Sequence, residues 1–203
     1  MSAPHLPCIL LAAGFSRRWG AYNKLLAEID GVPVVRRTAA ALAAGGCEPL
    51  TVVTRPELHD ELAAALTGLM VERVWVMNPA ASAGMGTSVA AGARALAAAG
   101  RGRETGFAVC PADLPWLRAE TVVALAEAFA MDPMRPLRPT CEGRPGHPVL
   151  FPGSWVGQLG ALRGDAGARA LLEGAIVRAL AVSDPGVARD LDRPSSPEFR
   201  SGD

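Results

Sequence analysis

The stretch ILLAAGFSRRWGAYNKLL, residues 9–26, decides how the fold is read. Residues 8–13 form an apolar run without polar alternation, the pattern of a short buried strand. The run breaks at Gly14 into a segment that holds Ser16, Arg17, Arg18, Gly20 and Lys24. Gly14 and Gly20 let the backbone turn tightly and approach a ligand with no Cβ in the way. A loop leaving a strand end is where open α/β sheets bind ligands. Arg and Lys beside free backbone N–H groups suit phosphate there. The competing reading is a solvated turn after an edge strand, which seldom combines a buried strand with this mix of glycine and cations. Two common phosphate loops are excluded. A P-loop needs Gly-Lys-[Ser/Thr], whereas Gly20 is followed by Ala21 and Lys24 comes too late. A G-x-G-x-x-G fingerprint is absent, since Gly14 and Gly20 are wrongly spaced for it.

Outward from this loop, short β-rich runs alternate with helical patterns. An extended piece is expected over 25–29, then a turn at Asp30-Gly31 and a helix over 34–44 led by Pro33 and stopped by Gly45-Gly46. A strand over 50–54 precedes a helix over 56–66 with Leu58, Leu62 and Leu66 on one face, then a strand over 71–77. NPAASAGMGTSVAAGARALAAAG reads as a second glycine loop feeding a helix. A strand over 106–110 leads into PADLP and a helix beginning near Arg118, amphipathic over 121–130. Extended segments over 137–140 and 148–151 flank EGRPGH, and 175–182 reads as a last strand. This alternation predicts a doubly wound, mainly parallel sheet under helices on both faces. One domain is expected over 1–203, with 190–203 as a polar tail.

Composition narrows the function. Half of the residues are hydrophobic, few are aromatic, and the net charge is zero, so nothing favours nucleic-acid or membrane binding. No apolar run suits a membrane span, and the first residues lack a signal-peptide pattern. Cys8, Cys47, Cys110 and Cys141 form no C-x-x-C pair, so buried thiols in a reducing cytoplasm are expected. His5, His59 and His147 are isolated, which argues against a zinc site.

Three further positions carry chemistry. Asp113 follows the fourth strand between Pro111 and Pro115. It is either a turn or capping carboxylate or a ligand for Mg²⁺, which takes one or two carboxylates and completes its shell with water and phosphates. The first strand's loop resembles a triphosphate cradle, and that favours the metal. Ser88 is either a capping residue or a donor to ribose or phosphate at a helix start. Arg144 and His147 lie on a glycine-proline loop that is either a solvated hairpin tip or part of a site.

The pattern L-A-A-G-x-S-x-R-x-G-x-x-x-K over residues 11–24 resembles the signature loop of the nucleotidyltransferases, which join a nucleoside monophosphate from NTP to a phosphorylated acceptor and release pyrophosphate. Trp19 stands where these enzymes usually carry Met. The Asn-Pro and G-M-G-[ST]-S segment, the run G-R-x-G-H-P-V-L-F and the run R-G-D-x-G-A-R-x-L-L resemble the molybdopterin cytidylyltransferase branch. The resemblance implies a Rossmann-like, three-layer nucleotide-diphospho-sugar transferase fold. It implies that Leu11, Ala12, Ala13, Gly14, Arg18, Lys24, Asn78, Gly86 and Ser88 hold the nucleotide, with Arg18, Lys24 and Asp113 catalytic. Arg144 and His147 fall on the acceptor side. Asp113 and Asp192 would bind Mg²⁺, with Asp190 as the alternative second ligand. Arg193 departs from the Thr that follows this acid in the family. The implied reaction is CMP transfer from CTP to molybdopterin in the cytoplasm, with a client molybdoenzyme or its maturation factor as a further partner. Alternatives are guanylyl or other nucleotidyl transfer to molybdopterin, a sugar phosphate or another phosphorylated metabolite, and a non-catalytic nucleotide or cofactor chaperone.

Overall fold

The apolar run does form a strand, β1 (Leu6–Leu11), in a computed structural model that describes residues 5–20 and 22–191. It leads through the cationic loop to a two-strand hairpin, β2 (Glu28–Ile29) and β3 (Val32–Pro33), turned at Asp30-Gly31. The extended piece expected over 25–29 is therefore shorter than its apolar residues suggested. Asn23 is the cause: its Oδ1 accepts from Leu25 N at 3.0 Å and bends 24–26 into a turn.

Helix α1 (Val34–Ala44) buries Val34, Val35, Thr38, Ala39 and Leu42, a single stripe at helical spacing. Then follow β4 (Cys47–Thr54), α2 (His59–Ala65), β5 (Arg73–Met77), α3 (Met85–Ala98), β6 (Phe107–Pro111) and α4 (Ala119–Ala130). The chain closes with β7 (Leu137–Cys141), β8 (Arg144–Pro145), β9 (Val149–Phe151), α5 (Val156–Gly160), α6 (Arg169–Glu173) and β10 (Arg178–Ala181).

The main sheet runs β10-β7-β9-β6-β1-β4-β5, with β8 paired to β7. Strands β1, β4, β5 and β6 are mutually parallel and β10 is parallel to β7, whereas β9 is antiparallel to both neighbours. The connection from β7 to β9 is too short for a parallel crossover, which needs a dozen or so residues. Side chains of β1 alternate between two cores. Cys8 and Leu10 face the layer of α1, α2 and α4, while Ile9 packs with Val53, Val89, Ala93, Val156 and Leu159 beneath α3 and α5. Both faces are thus covered, as a continuous apolar strand requires. All four cysteines are buried and free.

The strand order positions the site. From β1 the chain winds outward through β4 and β5, then crosses back to place β6 on the other side of β1. The loops after β1 and β6 diverge there and leave a crevice at the C-terminal strand ends.

Candidate active site

Two side chains shape the loop after β1. Ser16 sits in the left-handed region at φ 47°. Its Oγ donates to Asn23 Oδ1 at 3.3 Å and accepts from Lys24 N at 3.2 Å. These bonds draw Lys24 back across the loop, where its Nζ pairs with Asp113 Oδ2. The side chains of Lys24 and Asp113 are only 19% and 13% exposed, so solvent screens the pair little. Asp113 Oδ1 is buried and has no hydrogen-bond partner.

The backbone carrying Asp113 is pinned from three sides. Ala112 N donates to Leu11 O at 3.0 Å, and Thr38 Oγ1 on α1 accepts from Leu114 N at 3.1 Å while lying 3.0 Å from Ala112 O. Leu191 N donates to Asp113 O at 3.1 Å, which brings the last described residue to the same point. Asp113 does not cap α4. That place is taken by Asp184, buried, which accepts from Arg118 N at 3.1 Å and Thr121 Oγ1 at 2.8 Å.

A cavity of about 390 Å³ opens above the pair. Leu11, Ala13, Gly14, Lys24, Ser88 and Asp113, six of the residues singled out in the sequence, are brought together in its lining. Ala12 lies beneath, fully buried in the core. Arg17 lines the cavity; Arg18 is exposed on the Arg17–Trp19 turn and is not part of the lining. Asn78 stands behind the wall: its Nδ2 donates to Ser88 Oγ at 2.9 Å and Thr87 Oγ1 at 3.0 Å, and its Oδ1 accepts from Ala80 N at 3.1 Å. Asn78 thus orients Ser88, and Ser88 is not a helix cap. Gly86 is a packing site, because a Cβ there would fall 2.7 Å from Gly164 O.

A second cavity of about 670 Å³ adjoins the first, and the two share Leu11, Met85, Pro111 and Asp165. Its walls include Val109, Val149, Phe151 and Leu172, with Arg138, His147 and Arg169 among them. His147 is therefore brought to the site. Arg144 is exposed on the hairpin tip, outside the lining. Burial pushes the His147 imidazole below its ordinary pKa and the Arg138 charge adds to this, against opposing pulls from Asp113 and the Val109 backbone. The ring is neutral at neutral pH, so it offers no cation to a phosphate. Asp192 lies outside the described residues.

Residues not anticipated are Asn23, Thr38, Arg138 and Asp165, and Arg17, named among the cations of the loop, was given no role of its own. Asn before Lys is a turn signal, and a threonine on the apolar stripe of α1 marks a polar contact across the core. Asp165 lies within a motif already singled out.

The donor set fits one hard divalent cation. Among the described residues no group of three or more His, Cys, Asp or Glu could hold a metal. Asp113 offers one buried, unsatisfied oxygen beside a cavity that Lys24 and Arg17 also line, and a hard divalent ion needs only one or two carboxylates when other oxygens complete its shell.

The profile of the MobA-like NTP transferase domain matches residues 8–181. The chain belongs to that family. This MobA-like transferase is 30% identical over 206 residues to the purine catabolism protein PucB of Bacillus subtilis, covering 96% of this chain and 95% of that one. It is 34% identical over 124 residues to the probable molybdenum cofactor guanylyltransferase of Natronomonas pharaonis, 59% of this chain and 54% of the relative. In fold it is similar to Rv0371c of Mycobacterium tuberculosis, with a TM-score of 0.75 at 22% identity over 94% of each chain. A manganese complex of Rv0371c matches with a TM-score of 0.68 at 23% identity, over 88% of this chain and 89% of that one. The fold is thus that of the Rossmann-like nucleotidyltransferases. Among the described residues no helix is long and apolar enough to cross a membrane.

Proposed function

We propose that this protein transfers CMP from CTP to molybdopterin and releases pyrophosphate. The observation that carries the reading is the Lys24–Asp113 pair, with its unsatisfied Oδ1, in the wall of a nucleotide-sized cavity that adjoins a second, larger one.

A phosphate oxygen of the acceptor attacks the α-phosphorus in line. The new P–O bond forms as the bond from the α-phosphorus to the bridging oxygen breaks, and its electron pair leaves on pyrophosphate. Lys24 and Arg17, with Arg18 at the rim, offset the charge growing on the leaving group. The nucleophile is already ionised near neutral pH, so the protein's work is positioning. Ser88, oriented by Asn78, faces the nucleoside side of the cavity. Asp113 and Asp192 would hold Mg²⁺, which when bound neutralises phosphate charge and polarises phosphoryl oxygens. The manganese complex of a structural neighbour supports a divalent ion in this fold.

One relative is named for guanylyl transfer to the molybdenum cofactor, which supports the acceptor and leaves the base to be decided. Ala13, 5% exposed, presents its methyl to the nucleotide cavity. That methyl leaves less room for a purine than a glycine would. CTP should therefore be used about tenfold more efficiently than GTP, the scale of discrimination that one methyl group supplies. Pyrophosphate release measured with each nucleotide and molybdopterin tests both halves. A GTP preference overturns the cytidylyl assignment, and release with phosphorylated sugars in place of molybdopterin overturns the acceptor.

A further inference from the structure

The second cavity contains two polar groups that the protein leaves without partners. Arg138 of β7 is half-buried in its wall, and among the described residues no hydrogen bond or ion pair engages its guanidinium. The other cation in the lining, Arg169, is tied to Glu173 at 2.9 Å. His147 contributes a ring whose Nδ1 is buried with no hydrogen-bond partner. The ring is neutral at neutral pH, and with its one proton on Nε2 the Nδ1 atom presents a lone pair. Arg138 is thus an unused donor and His147 an unused acceptor, both in the wall of one cavity.

Leaving His147 Nδ1 buried without a partner costs folding free energy, so a ligand that reaches it together with the half-buried Arg138 is favoured. The neighbouring walls are apolar: Val109, Val149, Phe151 and Leu172. A freely charged phosphate suits them poorly, and it would meet a lone pair at His147. The reacting phosphate of an acceptor belongs instead in the adjoining first cavity, beside Asp113. What enters the larger space is the unreactive body of the acceptor.

We propose that Arg138 and His147 form a specificity pair that reads a lactam edge, a ring carbonyl beside a ring N–H, on a flat fused heterocycle. Arg138 donates to the carbonyl oxygen and His147 Nδ1 accepts from the ring N–H. The ring lies between the apolar walls. The pair rests on the acceptor assigned above, since a pterin carries such an edge.

The probes are pterin itself and 2,4-diaminopteridine, which replaces the carbonyl with an amino group and the ring N–H with a bare nitrogen. Fluorescence titration of the protein should show pterin binding roughly tenfold or more tightly, because the diamino edge inverts the pattern and leaves both side chains unpaired. Arg138→Ala and His147→Leu should each erase the preference. Arg138→Gln, which keeps a donor, should restore part of it and guards against a variant that merely misfolds. In turnover, Arg138→Ala should raise KM for molybdopterin about tenfold, with CTP affinity nearly unchanged. Equal binding of the two probes by the wild type, or a preference that survives in Arg138→Ala, overturns the specificity pair. Molybdopterin turnover without probe discrimination leaves the proposed reaction standing and removes the pair. Discrimination that depends on Arg138, without turnover on molybdopterin, supports the pair and removes the proposed reaction.

Discussion

At Asp113 one carboxylate oxygen is held by Lys24, while the other is buried and unpaired. An unmade buried hydrogen bond costs about 1–3 kcal/mol, a cost that persists where a ligand later makes the bond. Asp113→Asn should keep the fold but reduce pyrophosphate release by at least about a hundredfold, since an amide is a poor ligand for a hard cation. Adding metal to CTP should raise the melting temperature of the wild type above that with CTP alone, by preferential binding to the native state, and this increment should be absent in Asp113→Asn. Near-normal turnover by a folded Asp113→Asn protein would return the residue to a structural role. Lys24 and Asp113 were legible in the sequence because each sits in a motif at a strand end. The choice between Arg17 and Arg18 was not. Both lie on one short 3₁₀ turn that follows Ser16 at φ 47°, and residue spacing does not encode which of them faces the cavity. Arg144 illustrates the same limit: its loop reaches the site through His147, while its own side chain faces outward.

Among the elements, α3 shows how a glycine pattern serves packing as well as ligands. Gly84 adopts φ 118°, and a Cβ on it would fall 2.3 Å from Asp165 Oδ1. On Gly86 it would fall 2.7 Å from Gly164 O. The start of α3 and the 163–165 turn are therefore pressed together, and Asp165 is set at the junction of the two cavities. Gly86→Ala should destabilise the protein by about 1–3 kcal/mol, the usual cost of overpacking. It should also slow turnover by displacing that turn. Chemical denaturation with parallel rate measurements checks it, and unchanged stability would show that the two segments part freely. Helical periodicity was legible where burial is one-sided: Leu58, Leu62 and Leu66 are all buried, although the first lies in a 3₁₀ turn ahead of α2. The antiparallel placement of β9 and the added β8 were not, because strand direction depends on pairing partners distant in sequence.

Across the whole molecule, the same strand reversal that opens the crevice also buries a histidine beside it. His147 N donates to Val187 O at 2.7 Å, so the loop is anchored to the far end of the chain as well as to the second cavity. Burial is the largest influence on its imidazole and lowers its pKa, the Arg138 charge lowers it further, and Asp113 and the Val109 backbone oppose them incompletely. The sign of the pH dependence follows. Above the ordinary value of 6.5 the ring is neutral in both the folded and the unfolded chain, and its contribution is constant. As pH falls below 6.5 the unfolded chain takes up a proton that the folded protein resists, so stability declines until pH passes the lower folded-state pKa. His147→Gln removes the titrating group while keeping polar atoms in the loop. Unfolding free energies from denaturant titrations between about pH 7.5 and pH 5.5 should fall more steeply for the wild type than for His147→Gln. Asp113→Asn should steepen the decline further, because the carboxylate no longer favours the imidazolium. Nuclear magnetic resonance titration of the His147 ring should show its pKa moving down in that variant. If wild type and His147→Gln share one slope, the imidazole is as solvated in the fold as in the unfolded chain, and the buried acceptor in the second cavity loses its support.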